Sequence, residues 1–189
     1  MLNREIFERY SSGEREFQQS KFKEGEIKNL LLINSNFSDS NFHKAFISKS
    51  IFRSSKLNNC IFKESELYEC DFSEVELMQS SLGASNLVQV NFSGSNLTLS
   101  SMEGIVAMQC RFAGSNLRKV NFSNSTLAGC DFENSDLTSA NMRGVNLISC
   151  NFRNTNLTNA NLLGSVIENT ELDNAILLNT IMPNGETNQ

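Results

Sequence analysis

Histidine and proline each occur once in the 189 residues, as His43 and Pro183. A lone imidazole without a nearby nucleophile makes no catalytic pair, and there is no Gly-rich phosphate loop. General-base, covalent and metal-assisted chemistry therefore lack their residues, and scattered carboxylates are not an active site, so no enzyme activity is expected. Long apolar runs are also missing. Nothing approaches 18 consecutive apolar residues, and the opening MLNREIFERYSSGEREF is charged where a secretory signal would be apolar, so neither a membrane span nor export is expected and the cytoplasm is the expected location. Basic clusters are absent as well: 16 Lys and Arg stand against 21 Asp and Glu, for a net charge of -5, which argues against direct nucleic-acid binding. The five cysteines, Cys60, Cys70, Cys110, Cys130 and Cys150, include no Cys-x-x-Cys pair. With a single histidine they read as reduced, buried thiols in a reducing compartment, and neither metal nor cofactor is expected.

What is present is a period of five. From Phe17 to Met182 every fifth residue, 34 positions without an insertion, is large and apolar except Ala107, and 12 of the 14 phenylalanines fall on this register. Two residues before each such centre after the first the chain is small or short, as at Ser115, Val120, Ser125 and Cys130, apart from Leu30 and Ile105. The residue just before the centre is often Asn or Asp, and the two after it are variable and polar. Residues five apart spread around a helix instead of making an apolar face, and strict alternation is absent, so neither an amphipathic helix nor an ordinary two-faced sheet fits. A coil that turns a corner every five residues does. Residues 20 apart would then stack, as the column Phe52, Phe72, Phe92, Phe112, Phe132, Phe152 and the leucine column from Leu57 to Leu177 suggest.

The stretches SNLRK, VNFSN, SDLTS, ANMRG and VNLIS resemble the A(D/N)LXX motif of the pentapeptide-repeat proteins, and the resemblance covers residues 17 to 182. It implies an all-β solenoid, a right-handed quadrilateral β-helix with four pentapeptides to a coil and both the large and the small residue pointing inward. At a spacing of about 4.8 Å per coil, about eight coils make a rod roughly 40 Å long. EIFERYSSGEREF and NTIMPNGE are similar to the ends of cyanobacterial members, among them a regulator of heterocyst differentiation. That similarity implies a protein-interaction module or scaffold. Other members protect DNA gyrase from quinolones by imitating duplex DNA, which is the alternative. Side chains beside the four inward columns sum to about +2, -2, -3 and -1, a weak field for imitating phosphates.

Outside the repeat, Leu2, Ile6, Phe7 and Tyr10 have helical spacing with Gly13 beyond, so residues 1–16 are expected to form a short helical cap over the open first coil. The repeat occupies 17–183, and 184–189 form a polar tail. Three departures from the polar rule stand out. Phe46, Tyr68, Val88, Val106, Met108, Ala128, Ile148 and Val166 fall on one outward face, either a partner surface or a stripe set by β-propensity alone. Ile105 and Ala107 exchange large for small, so a local distortion is expected there. Ile176, Leu178 and Ile181 are apolar in outward positions, consistent with a homodimer through the C-terminal coil or with local capping. The acidic stretch KESELYECDFSEVEL could form a binding patch, but pairing of Glu64, Glu69 and Glu76 with Lys44, Lys49 and Lys56 one coil earlier is the expectation.

Overall fold

The bend lies at the fifth residue of each repeat. In this computed structural model, which describes residues 3–172 and 174–189, every fifth residue from Gln19 to Asn169 has φ between +48° and +70°. Side chains enter this left-handed region at a cost that is lowest for Asn and Gly and highest for β-branched residues. Asn and Gly are the commonest occupants, and no Val, Ile or Thr stands there. A positive φ at every fifth residue turns the chain four times per 20 residues, and backbone pairing joins each residue to the one 20 later.

Three sides of the coil pair through single bridges, such as Ile51 with Asp71, Lys56 with Glu76 and Asn121 with Asn141. The remaining one, the strand side, pairs through three residues per coil. It carries β1 (Glu26–Lys28), β2 (Phe46–Ser48), β3 (Glu66–Tyr68), β4 (Asn86–Val88), β5 (Val106–Met108), β6 (Thr126–Ala128), β7 (Asn146–Ile148) and β8 (Val166–Glu168). These form one parallel sheet in sequence order. The eight strands make seven turns, slightly short of the eight coils expected, and bridges on the other sides extend the pairing from Glu16 to Ile181.

The large residue of each repeat fills the interior. Phe52, Phe72, Phe92, Phe112, Phe132 and Phe152 stack as one buried column, with Phe112 and Phe132 at 4.9 Å and Phe132 and Phe152 at 4.8 Å between ring centres. Leu57, Leu77, Leu97, Leu117, Leu137 and Leu157 form the buried column of the next side. The expected distortion at Ile105 and Ala107 is absent. Both are fully buried, and Leu87, Ala107 and Leu127 keep unbroken register. The bulk missing at Ala107 is supplied by Ile105 two residues earlier, so the inward volume of the repeat is conserved.

The small position is set by volume, since Ala45, Val75, Val120 and Ala140 fill it without a donor, but where it holds Ser, Thr or Cys the side chain often links coils as well. Ser85 Oγ donates to the Phe62 carbonyl at 2.6 Å and accepts from the Ser65 amide at 3.1 Å, tying two coils together inside the core. Ser125 does the same to Met102 and Ile105. Cysteine substitutes as donor: Cys60 Sγ donates to Phe37 O at 3.1 Å and Cys150 Sγ to Leu127 O at 3.2 Å. All five thiols are buried and free. Burial pushes the Cys60 thiol up to about 12 and the Cys70 thiol up to about 11.

Where an Asn or Asp precedes a core residue on three of the four sides, it caps the backbone just beyond it. The Ser93 amide donates to Asn91 Oδ1 at 3.1 Å, the Ser123 amide to Asn121 at 3.0 Å and the Thr138 amide to Asp136 at 2.9 Å. These Asx turns lie on the three bridge sides. On the strand side the backbone at that point belongs to a ladder, and among the described residues neither Asn86 nor Asn146 makes such a cap. Phe46, Val106 and Val166 therefore displace no cap on this side, whereas at Leu31, Ile51 and Ile61 a bridge side goes without one.

Helix α1 (Asn3–Ser11) covers the first coil. It ends where Gly13 takes φ +97° and the Gly13 and Glu14 amides donate to the Tyr10 and Arg9 carbonyls, a Schellman closure. Ile6 is fully buried, Tyr10 packs partly against the core, Phe7 is exposed, and Leu2 lies outside the described residues. Asn3 behaves as a one-residue strand: its Oδ1 accepts from the Lys28 amide at 3.0 Å and its Nδ2 donates to the Lys28 carbonyl at 3.3 Å. At the other end residues 184–189 turn back, with Thr187 pairing antiparallel to Ile181 and the Asn188 amide donating to Thr180 O at 2.9 Å.

Candidate interaction surface

The register places the apolar outward residues in two columns of the strand side. Tyr68, Val88, Met108, Ala128 and Ile148 are consecutive partners along β3 to β7. Phe46, Val106 and Val166 stand in the parallel column two residues earlier, separated by Glu66, Asn86, Thr126 and Asn146. The sequence list is thus one unbroken stripe of five residues beside three isolated ones.

The two ends of this side are polar or internally engaged. Lys28 Nζ sits 5.0 Å from the centre of the Phe46 ring, which packs 5.5 Å from Tyr68. Tyr68 Oη donates to Glu66 Oε2 at 3.3 Å, and partial burial, followed by the charge of Glu66, pushes the phenol up. Glu168 closes the far end, opposite Ile148 in the ladder.

Between those ends, four consecutive coils carry no charged side chain on this side. Asn86, Val88, Gln89, Val106, Met108 and Gln109 lead into Thr126, Ala128, Gly129, Asn146, Ile148 and Ser149. Over the same coils the other sides hold Arg111, Asp131 and Glu133, then Arg118, Lys119 and Asp136, then Glu103 and Arg143. Sequence reading found the apolar stripe but missed this wider neutral window. The signal was there, in the polar residues flanking the stripe once they are aligned at 20-residue spacing.

The window is not flat. Val106 and Met108 protrude, 41% and 49% exposed. Immediately past Met108, the small Ala128 and the bare backbone of Gly129 leave a shallow depression of about 320 Å³ walled by Val88, Met108, Gln109, Ile148 and Ser149. Gln89 Nε2 donates to Gln109 Oε1 at 3.0 Å along the corner, and this ladder stops at Gly129.

Some charged groups elsewhere are paired with one another across coils. Lys44 meets Glu64 at 3.3 Å and Lys49 meets Glu69 at 3.8 Å, as expected. The third expected pair does not form. Glu76 instead accepts from Asn58 Nδ2 at 3.2 Å, and Lys56 stays exposed, because fixing a long exposed side chain for one ion pair gains little. Ile176 and Leu178, 54% and 52% exposed, and the half-buried Ile181 lie on the last coil, where Leu172, Ala175 and Leu177 are only partly covered. The structure adds Leu31 and Ile51, exposed and bridged to each other near the first coils, which the sequence reading passed over. Among the described residues no three His, Cys, Asp or Glu side chains are grouped as metal ligands, and no helix is long and apolar enough to cross a membrane.

The sequence of the chain matches two family models, one described as a pentapeptide repeat region over residues 108–177 and one as pentapeptide repeats, in overlapping segments spanning 52–124. The chain belongs to the pentapeptide-repeat proteins. No curated protein matches it in sequence. Among solved structures, the pentapeptide-repeat fold matches full-length QnrB1, a plasmid-mediated fluoroquinolone resistance protein, at 15% identity over 89% of this chain and 92% of that one, TM-score 0.56. HetL, a pentapeptide-repeat protein involved in heterocyst differentiation regulation from the cyanobacterium Nostoc sp. PCC 7120, aligns over the whole of both chains at 21% identity with a TM-score of 0.35. A pentapeptide-repeat protein of the Arabidopsis thaliana thylakoid lumen aligns at 24% identity over 58% of this chain and 69% of that one, TM-score 0.30. At such identities the likeness to QnrB1 speaks to the fold alone.

Proposed function

We propose that this pentapeptide-repeat protein is a non-enzymatic protein-binding module whose contact surface is the centre of the strand side. One observation carries the reading: four successive coils lack charge on this side only. β-Propensity accounts for apolar residues on a strand, but it gives no reason to exclude Lys, Glu and Arg from the flanking positions of the same coils, which the other sides fill freely. A neutral, partly apolar patch with a polar rim is the composition of a protein contact. Val88→Glu with Ile148→Glu adds two exposed carboxylates without touching the core. The double variant should keep the circular dichroism spectrum and melting temperature of the parent and lose capture of the protein that the parent retains from lysate of the native organism. Equal capture by both removes this surface from consideration.

Imitation of duplex DNA toward gyrase is the competing reading, supported by a rod-like fold shared with QnrB1. Charge weighs against it, since carboxylates such as Glu64, Glu69 and Asp136 are paired with Lys44, Lys49 and Arg118 instead of lining one side. A gyrase supercoiling assay with a quinolone is expected to show no protection at micromolar protein; protection would reverse the order of the two readings.

A further inference from the structure

We infer that the partner accepted by the strand side is a second copy of this chain, packed face to face with the two rods antiparallel. The inference rests on the reading of the strand side as a contact surface and concerns only who occupies it.

The protrusion and the depression sit on adjacent coils of the same column. Met108 is half exposed, and the hollow over Ala128 lies one coil further on. A twofold axis parallel to the strands, passing midway between β5 and β6, places Met108 of each copy over Ala128 of the other. The same operation sets Gln109 over Gly129, a long side chain against none, and Val88 over Ile148. Such reciprocity, in which one residue meets a second and the second meets the first, is what an isologous contact requires. An arbitrary partner has no need for matched bumps and hollows one coil apart.

Charge favours the same occupant. A chain of net charge -5 repels its own copy, so a self-contact must fall where no charge is presented. The four neutral coils are the longest stretch of any side that meets this condition. Near their rim the twofold operation opposes Tyr68, whose hydroxyl already donates to Glu66, to Glu168, and within the neutral window it brings no two like charges together. The face is small, so the dimer is expected to be weak and reversible, forming over roughly tens to hundreds of micromolar protein.

Charge exchange tests it. Sedimentation equilibrium is run on the wild type, on the Val88→Glu plus Ile148→Glu variant, on the Val88→Lys plus Ile148→Lys variant, and on an equimolar mixture of the two variants. The twofold axis opposes position 88 to position 148, so each variant alone should be monomeric, about tenfold or more weaker in association than the wild type. The mixture should dimerise again. A wild type that stays monomeric, a Glu variant that still dimerises, or a mixture that remains monomeric each overturns the proposal. If the wild type is monomeric while a photo-crosslinker at Met108 traps a different protein, the second copy is excluded and the contact surface stands; if it traps nothing, both fall.

Discussion

Each position of the repeat is governed by a different backbone demand. The corner residue must tolerate positive φ, the small residue must fit the interior and often donates to the preceding coil when it is Ser, Thr or Cys, and an Asn or Asp before the centre caps an amide on three sides out of four. The corner gives a direct test at Lys119, where φ is +56°. Lys119→Val should destabilise the protein by about 1–2 kcal/mol in urea unfolding, while Lys119→Asn should be neutral, although both side chains face solvent. Asp136 gives a test in pH. Partial burial raises its pKa, but hydrogen bonds from Thr138 and the pairing with Arg118 outweigh burial and hold it below the usual aspartate range. A carboxyl lowered on folding contributes stability above its unfolded pKa, and that contribution is lost as pH falls through the folded value. In Asp136→Asn, the difference in stability between pH 7 and pH 3 should shrink by a few tenths of a kcal/mol, a size set by exposed pairing.

At the scale of elements, the period of five, the inward columns and the capping helix could all be read in the sequence, because apolar spacing is a direct record of which side chains leave water. The chemistry of the polar positions was less legible. Ser85 could be read as small, but its double hydrogen bond across coils depends on a carbonyl 23 residues away, and no local pattern records that. The regularity at Ile105 and Ala107 was missed for a related reason: two exceptions judged one at a time look like damage, while their combined volume does not change. The role of Asn3 was hidden as well, since a polar residue before a helix reads as a helix start, whereas here it also completes the edge of β1. Asn3→Ala should leave α1 in place yet speed hydrogen exchange of the Lys28 amide by about tenfold, because that amide loses its acceptor. Unchanged exchange would mean that α1 covers the coil by packing alone.

For the whole molecule, the interior is committed to stacking and the question of function moves to the outside of a four-sided rod. The sequence located the apolar stripe residue by residue, since register follows from counting in twenties. It was silent on relief, because the protrusion of Met108 and the hollow at Ala128 and Gly129 arise from neighbouring coils together. It was also silent on the contrast between sides, which emerges only when the polar flanks of one side are set beside those of the others. Site-specific photo-crosslinking from the four sides reads that contrast directly, with a photoreactive residue placed in turn at Met108 on the strand side and at Ala113, Thr98 and Arg143 on the others. Adducts, to a second copy or to another protein, should come predominantly from position 108; equal or greater yield from any other side would contradict the assignment of the strand side as the contact surface.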